Sequence, residues 1–225
     1  MAALKTSLPV LAGYTVLGIG FGILLNKAGY GVIWAIVMSI TIFSGTMQYL
    51  GTTLIAASAS PITAVITTLM VNLRYAFYGI SMMKHYQGAG IKKGYMIFAL
   101  TDETYSLLCD GKFPEGEDKH TYQFLVSLFD HIYWIVGSVI GNVLSSAVQF
   151  DSKGAEFSMT AIFIATFAEL LRKKENRLPA ILGLAVSLVC LIIFGTEYFL
   201  IPTMALIVVA LFALRKKLDK GGERA

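Results

Sequence analysis

The chain has 225 residues, of which 56% are hydrophobic and 14% charged, with a formal net charge of +4 and a mean hydropathy of +0.70. Soluble domains carry about 25% charged residues, so this composition describes a membrane chain. A pI near 9.0 does not point to nucleic acid, because 12 of the 18 Lys and Arg fall in three stretches, 84–93, 172–177 and 215–224, beside apolar runs rather than along one polar face.

The first predicted element is 8–25. With Lys5 as its one preceding basic residue and the length of a membrane span, it reads as a first helix and not as a removable signal peptide. It contains Gly18-Ile19-Gly20-Phe21-Gly22, which fails the dinucleotide fingerprint because Ile23 stands where a glycine is needed. Gly18 and Gly22 instead give the spacing of close helix packing, as do Gly137 and Gly141.

The second element, 30–57, is 28 residues long and is interrupted by Ser44-Gly45-Thr46. Interrupted helices at membrane depth occur where the freed backbone lines a cavity or is covered by protein, as at transporter binding sites. The exposed N–H groups at such a break can hold a carboxylate, so Ser44 and Gly45 are candidate substrate-binding residues. Gln48 either adds a polar side chain to that site or makes a core hydrogen bond.

The third element, 61–83, carries Arg74 ten residues before Lys84, about 15 Å along a helix. That is too far for the side chain to reach the interface, so Arg74 is a functional candidate. Its planar fork suits a substrate carboxylate or a structural Asp partner.

The fourth element, 95–109, has only 15 residues, short for about 30 Å of hydrocarbon. It reads as a re-entrant piece in which Thr101 or Asp102 caps a half-helix. Asp102 is assigned to an ammonium or proton site, and Glu103 to a surface acid near the following loop. The hydrophilic loop 110–120 holds four acidic residues and two Lys, and joins two halves of a length that would allow an inverted structural repeat.

The fifth element, 122–150, carries Asp130 and His131 well inside an apolar run. Asp130 is a candidate partner for Arg74 or a proton site. His131 is a candidate relay, with a bundle hydrogen bond the commoner role for such a histidine. Asn142 is expected to bond a neighbouring helix. The remaining elements are 157–171, 178–195 and 198–214, with Glu169 paired to Arg172 or Lys173 near the interface.

The fold class expected is therefore all-α: a polytopic transmembrane helical bundle with broken or re-entrant segments, forming one permease domain over 1–225. Placing the three basic stretches inside puts the tail 215–225 in the cytoplasm. The N-terminus lies outside if 30–57 is one span and inside if it is a broken hairpin. Cys109 and Cys190 stand 81 positions apart, and His85, His120 and His131 are dispersed, so no metal and no cofactor is expected.

Phe43-Ser44-Gly45-Thr46-Met47-Gln48-Tyr49, Asn72-Leu73-Arg74-Tyr75 with Tyr78-Gly79-Ile80-Ser81-Met82, and Thr101-Asp102-Glu103 together resemble the AzlC family of branched-chain amino acid exporters. Trp134-Ile135-Val136-Gly137 leading to Gly141, and Thr160 to Ala165, extend the resemblance over 8–195. It implies a large permease subunit in the inner membrane that works with a small AzlD-type membrane partner and exports valine, leucine, isoleucine and often methionine. On that likeness the matching Ser44, Gly45, Gln48, Arg74 and Asp102 would carry function. Glu156 stands where the resemblance leads one to expect Asp. The alternatives are a channel or a permease for another small solute, whereas no metalloprotease motif, nucleophile elbow or defensible catalytic triad supports an enzyme.

Overall fold

The computed structural model describes residues 2–111, 113, 114, 116–147 and 174–199, with 164, 167, 168, 171, 172, 202, 203, 205–207, 209, 210 and 213. Every described regular element is an α-helix: α1 Ala2–Lys27, α2 Val32–Thr41, α3 Gly45–Ala56, α4 Pro61–Met82, α5 Lys92–Phe98, α6 Asp102–Leu108, α7 Lys119–Ala147 and α8 Lys174–Tyr198. By length and composition, α1, α7 and the 177–196 stretch of α8 can cross a membrane. The chain is an all-α, multi-pass membrane protein with broken segments. It divides into two compact units, Met1–Met159 and Thr160–Ala225.

In the first unit, α1 packs along α7. The buried residues of α1 include Ala3, Ser7, Val10, Tyr14, Gly18, Phe21 and Leu25, which recur every three or four positions and so form one stripe. The contact is made backbone to backbone at the four glycines. A Cβ on Gly18 would lie 2.9 Å from Ser138 N, and one on Gly137 would lie 2.9 Å from Thr15 O. On Gly22 it would lie 2.6 Å from Asn142 N, and on Gly141 2.6 Å from Ile19 Cα. Carbon needs about 3.5–4.0 Å, so the paired small-residue spacing is a steric requirement of this crossing. Asn142 locks the seam, donating to Gly22 O at 3.2 Å and Tyr30 O at 3.0 Å.

The second predicted element is two helices, α2 and α3, parted at 42–44. Phe43 has φ 38, a left-handed backbone that bulky residues rarely adopt, and Ser44 is extended. The fourth element also splits, into the seven-residue helices α5 and α6. Thr101 caps α6 by accepting from Thr104 N at 3.3 Å. Pro61 at the first turn and Ser60 as N-cap start α4 between them.

In the second unit, α8 begins at Lys174, so helix replaces the basic loop expected to end at Arg177. Its helical geometry is interrupted at Gly195 (φ 70), the predicted end of the seventh element. Most of the predicted element 157–171, with Glu169, and part of 198–214, together with Glu156 and the basic tail, lie outside the described residues.

Candidate functional site

The break between α2 and α3 leaves helix ends with unpaired groups, and the side chains around it are those that complete them. Residues at the end of α2 lose their i+4 partners. His131 Nε2 meets one such carbonyl, Ser39 O, at 3.0 Å and must donate to it. Nδ1 then accepts from the Tyr95 hydroxyl at 2.9 Å. The imidazole also stacks on Phe43, with ring centroids 4.1 Å apart, under the strained residue. His131 therefore holds the break in place.

On the other side of the break, Gln48 is fully buried. Its Oε1 accepts from Trp134 Nε1 at 2.7 Å, and its Nε2 reaches Ser39 Oγ at 3.4 Å. A Cβ on Gly45 would sit 3.0 Å from the Trp134 ring, so a larger residue there would press on the indole.

At the start of α3 the first intrahelical bond is from Gln48 N to Ser44 O, so the N–H groups of Gly45, Thr46 and Met47 are the unpaired donors of a helix N-terminus. Ser44 makes no capping bond to them. Its Oγ donates instead to Asn72 Oδ1 at 3.1 Å, and the Tyr75 hydroxyl donates back to it at 3.1 Å. This opening faces Arg74. The guanidinium donates from Nη2 to Thr46 Oγ1 at 3.1 Å, lies 5.2 Å from the centre of the Tyr75 ring, and pairs through Nη1 with Asp102 Oδ2 at 2.8 Å.

Arg74 is thus clamped between the first turn of α3 and the first turn of α6. The pair is not sealed, its side chains being 31% and 38% exposed. Arg74 Nε and Asp102 Oδ1 have no hydrogen-bond partner among the described residues. An apolar groove of about 390 Å³ begins at the same break, lined by Met38, Ile42, Met47, Gly51, Leu54 and Ile55 among others.

Two sequence expectations are corrected here. Asp130 is not the partner of Arg74; Asp102 is, because the half-helix start at Thr101 turns the first carboxylate of α6 toward α4. Asp130 is fully buried on α7 and accepts from Thr104 Oγ1 at 2.8 Å. Glu103 is not a surface acid either, since its Oε2 accepts from the buried Tyr14 hydroxyl at 2.7 Å. The sequence assigned no role to Tyr14 or Thr104, and Trp134 entered only through the family resemblance. A hydroxyl within an apolar run, as at Tyr14, was the available signal.

The comparisons with known proteins span the part of the chain that holds this site. The family model described as AzlC protein matches residues 9–148. The chain is 40% identical over 219 residues to the branched-chain amino acid transport protein AzlC of Bacillus subtilis (strain 168), covering 97% of this chain and 86% of that protein. An uncharacterized membrane protein of Haemophilus influenzae is 41% identical over 204 residues, covering 90% of this chain and 84% of its own. More distantly, inner membrane protein YgaZ of Escherichia coli (strain K12) is 23% identical over 186 residues, or 78% of this chain and 75% of that one. No solved structure matches.

Proposed function

The chain belongs to the AzlC family, and from that premise we propose that it is the large subunit of a secondary transporter that exports valine, leucine, isoleucine and methionine, working with a small AzlD-type membrane partner. The observation that carries the reading is the half-exposed Arg74–Asp102 pair set against the uncapped start of α3. An α-amino acid is a zwitterion, and this pair is its complement. The substrate carboxylate takes the Arg74 fork and the free N–H groups of the α3 N-terminus, where the helix dipole favours negative charge. The ammonium takes Asp102. Without substrate the two side chains neutralise each other, which avoids leaving a single charge uncompensated inside the membrane.

Within this arrangement Ser44 is fixed by Asn72 and Tyr75 at the mouth of the opening, whereas Gln48 and His131 hold the break from beneath. The apolar groove beside the break takes the aliphatic side chain. Discrimination among aliphatic substrates is modest, because one methylene in a pocket is worth about 1–3 kcal/mol. The protein resides in the inner membrane with its C-terminus in the cytoplasm, by the basic stretches at 84–93, 172–177 and 215–224.

The test is efflux of labelled leucine, valine and methionine from cells lacking other exporters, with the chain expressed alone and with its small partner. Efflux that needs the partner and falls at least tenfold in Arg74→Ala, at equal membrane abundance, is expected. Efflux unchanged by Arg74→Ala, or absent from folded and assembled protein, overturns the reading. A channel for another solute would equilibrate its solute and never accumulate it against a gradient.

A further inference from the structure

Two carboxyl groups of the first unit are joined by an unbroken chain of hydroxyls. Asp130 Oδ2 accepts from Thr104 Oγ1 at 2.8 Å, Thr104 Oγ1 lies 3.0 Å from Thr101 Oγ1, Thr101 Oγ1 lies 2.6 Å from the Tyr14 hydroxyl, and Tyr14 donates to Glu103 Oε2 at 2.7 Å. Asp130, Thr101, Thr104 and Tyr14 are buried and Glu103 is half-buried. Asp130 Oδ1 has no partner among the described residues.

The proton count of this chain is informative. It has four links and three hydroxyls, and each hydroxyl brings one proton. With both carboxyls ionised, Thr104 and Tyr14 each donate outward, and Thr101 can serve only one of its two hydroxyl neighbours. One link then sets two oxygens against each other with no hydrogen between them. Adding a single proton fills all four links. A second extra proton would find no empty link to fill.

We infer that Asp130 and Glu103 share one proton through Thr104, Thr101 and Tyr14, forming a relay that couples proton movement to the transport cycle. When Glu103 holds the proton, it donates to Tyr14, Tyr14 to Thr101, Thr101 to Thr104, and Thr104 to the Asp130 carboxylate. Transfer moves one hydrogen across each link in the same direction. Glu103 ends ionised, Asp130 protonated, and the three hydroxyls reversed. No other reactant is consumed.

The other titratable and charged groups facing the two ends are committed elsewhere. Asp102, beside Glu103, is paired with Arg74 of α4. His131, beside Asp130, is held by Ser39 O and by Tyr95 of α5. Tyr14 of α1 is itself a member of the relay. The half-buried end at Glu103 adjoins Asp102 in sequence, so a change in the zwitterion site during transport acts directly on the turn that carries the proton. That last step rests on the proposed function, whereas the shared proton does not.

The test is infrared difference spectroscopy of the purified full chain near neutral pH, reading the carbonyl stretch of protonated carboxylic acids. One such signal per chain is expected, and it should disappear in Asp130→Asn and in Glu103→Gln, because either amide can donate into the chain in place of the acid. If Asp130→Asn does not fold, Glu103→Gln makes the same measurement from the half-buried end. Thr101→Val is the sharper variant: it keeps both carboxyls, but the two remaining hydroxyls then fill the two remaining links and the signal should also vanish. A signal that survives Thr101→Val, two independent signals, or none in the wild type overturns the relay. The expected pattern in a protein that does not transport leucine supports the relay and overturns only the substrate reading.

Discussion

The seam between α1 and α7 and the break between α2 and α3 solve opposite problems. At the seam, four glycines let two helices touch through their backbones, and Asn142 supplies the polar bonds. At the break the backbone is opened, Phe43 is left in a strained conformation, and a half-exposed ion pair stands before an uncapped helix. At its four glycines the seam is close packing with no group left to bind, whereas the break keeps unpaired donors that a ligand can take. Trp134 ties them together, since it belongs to α7 yet meets Gly45 and Gln48 at the start of α3. Rigid close packing on one side holds an otherwise costly opening in place on the other.

The largest effect should come from attacking the seam. Gly22→Val places branched carbon where the backbone of α7 already lies. Overpacking with room to adjust costs about 1–3 kcal/mol, and two helix backbones cannot yield, so folded protein should be nearly lost in size-exclusion profiles of solubilised membranes. Gly13→Ala in the same helix is the control. A Cβ there meets nothing within 4 Å, so the variant should be neutral or up to about 1 kcal/mol more stable from helix propensity.

A smaller effect is expected where the two regions join. Trp134→Phe keeps an aromatic ring but removes the donor to the buried Gln48 Oε1. An unpaired buried acceptor costs about 1–3 kcal/mol, to be read as a lowered Tm with the seam intact. Equal stability of Trp134→Phe and wild type would mean that the break does not depend on the seam.

The smallest effect belongs to Asp118, at the exposed start of α7. Its Oδ2 accepts from Thr121 N at 2.8 Å and Thr121 Oγ1 at 2.6 Å, and these bonds hold its carboxyl below the usual carboxylate range. A lowered folded-state value means a contribution present above the unfolded value of about 3.9 and lost as pH falls through the folded one. Asp118→Ala should therefore differ from wild type at neutral pH and converge with it in strong acid, a comparison made by thermal unfolding across pH.

Much of this contrast was legible in the sequence. Ser44-Gly45-Thr46 in an overlong apolar run marked the break, the paired four-residue glycine spacing marked the seam, and Arg74 stood too deep to be a surface charge. Each is a local signal. The pairing of Arg74 with Asp102 joins residues 28 positions apart, and Tyr14 meets Glu103 across 89. Nothing in a period of 3.6 residues reports which of two adjacent acids turns toward α4 and which toward α1. That choice follows from where Thr101 starts α6, and hence from three-dimensional packing.

The central claim, that Arg74 and Asp102 form a zwitterion site and not a structural brace alone, is tested most directly by exchanging the two charges. Arg74→Asp combined with Asp102→Arg keeps an ion pair between α4 and α6 but points the positive charge away from the α3 N-terminus. Leucine binding to purified protein, with Tm measured alongside, should show stability recovered relative to Arg74→Ala and binding still lost. Leucine affinity restored to the wild-type level in the exchanged variant would contradict the claim.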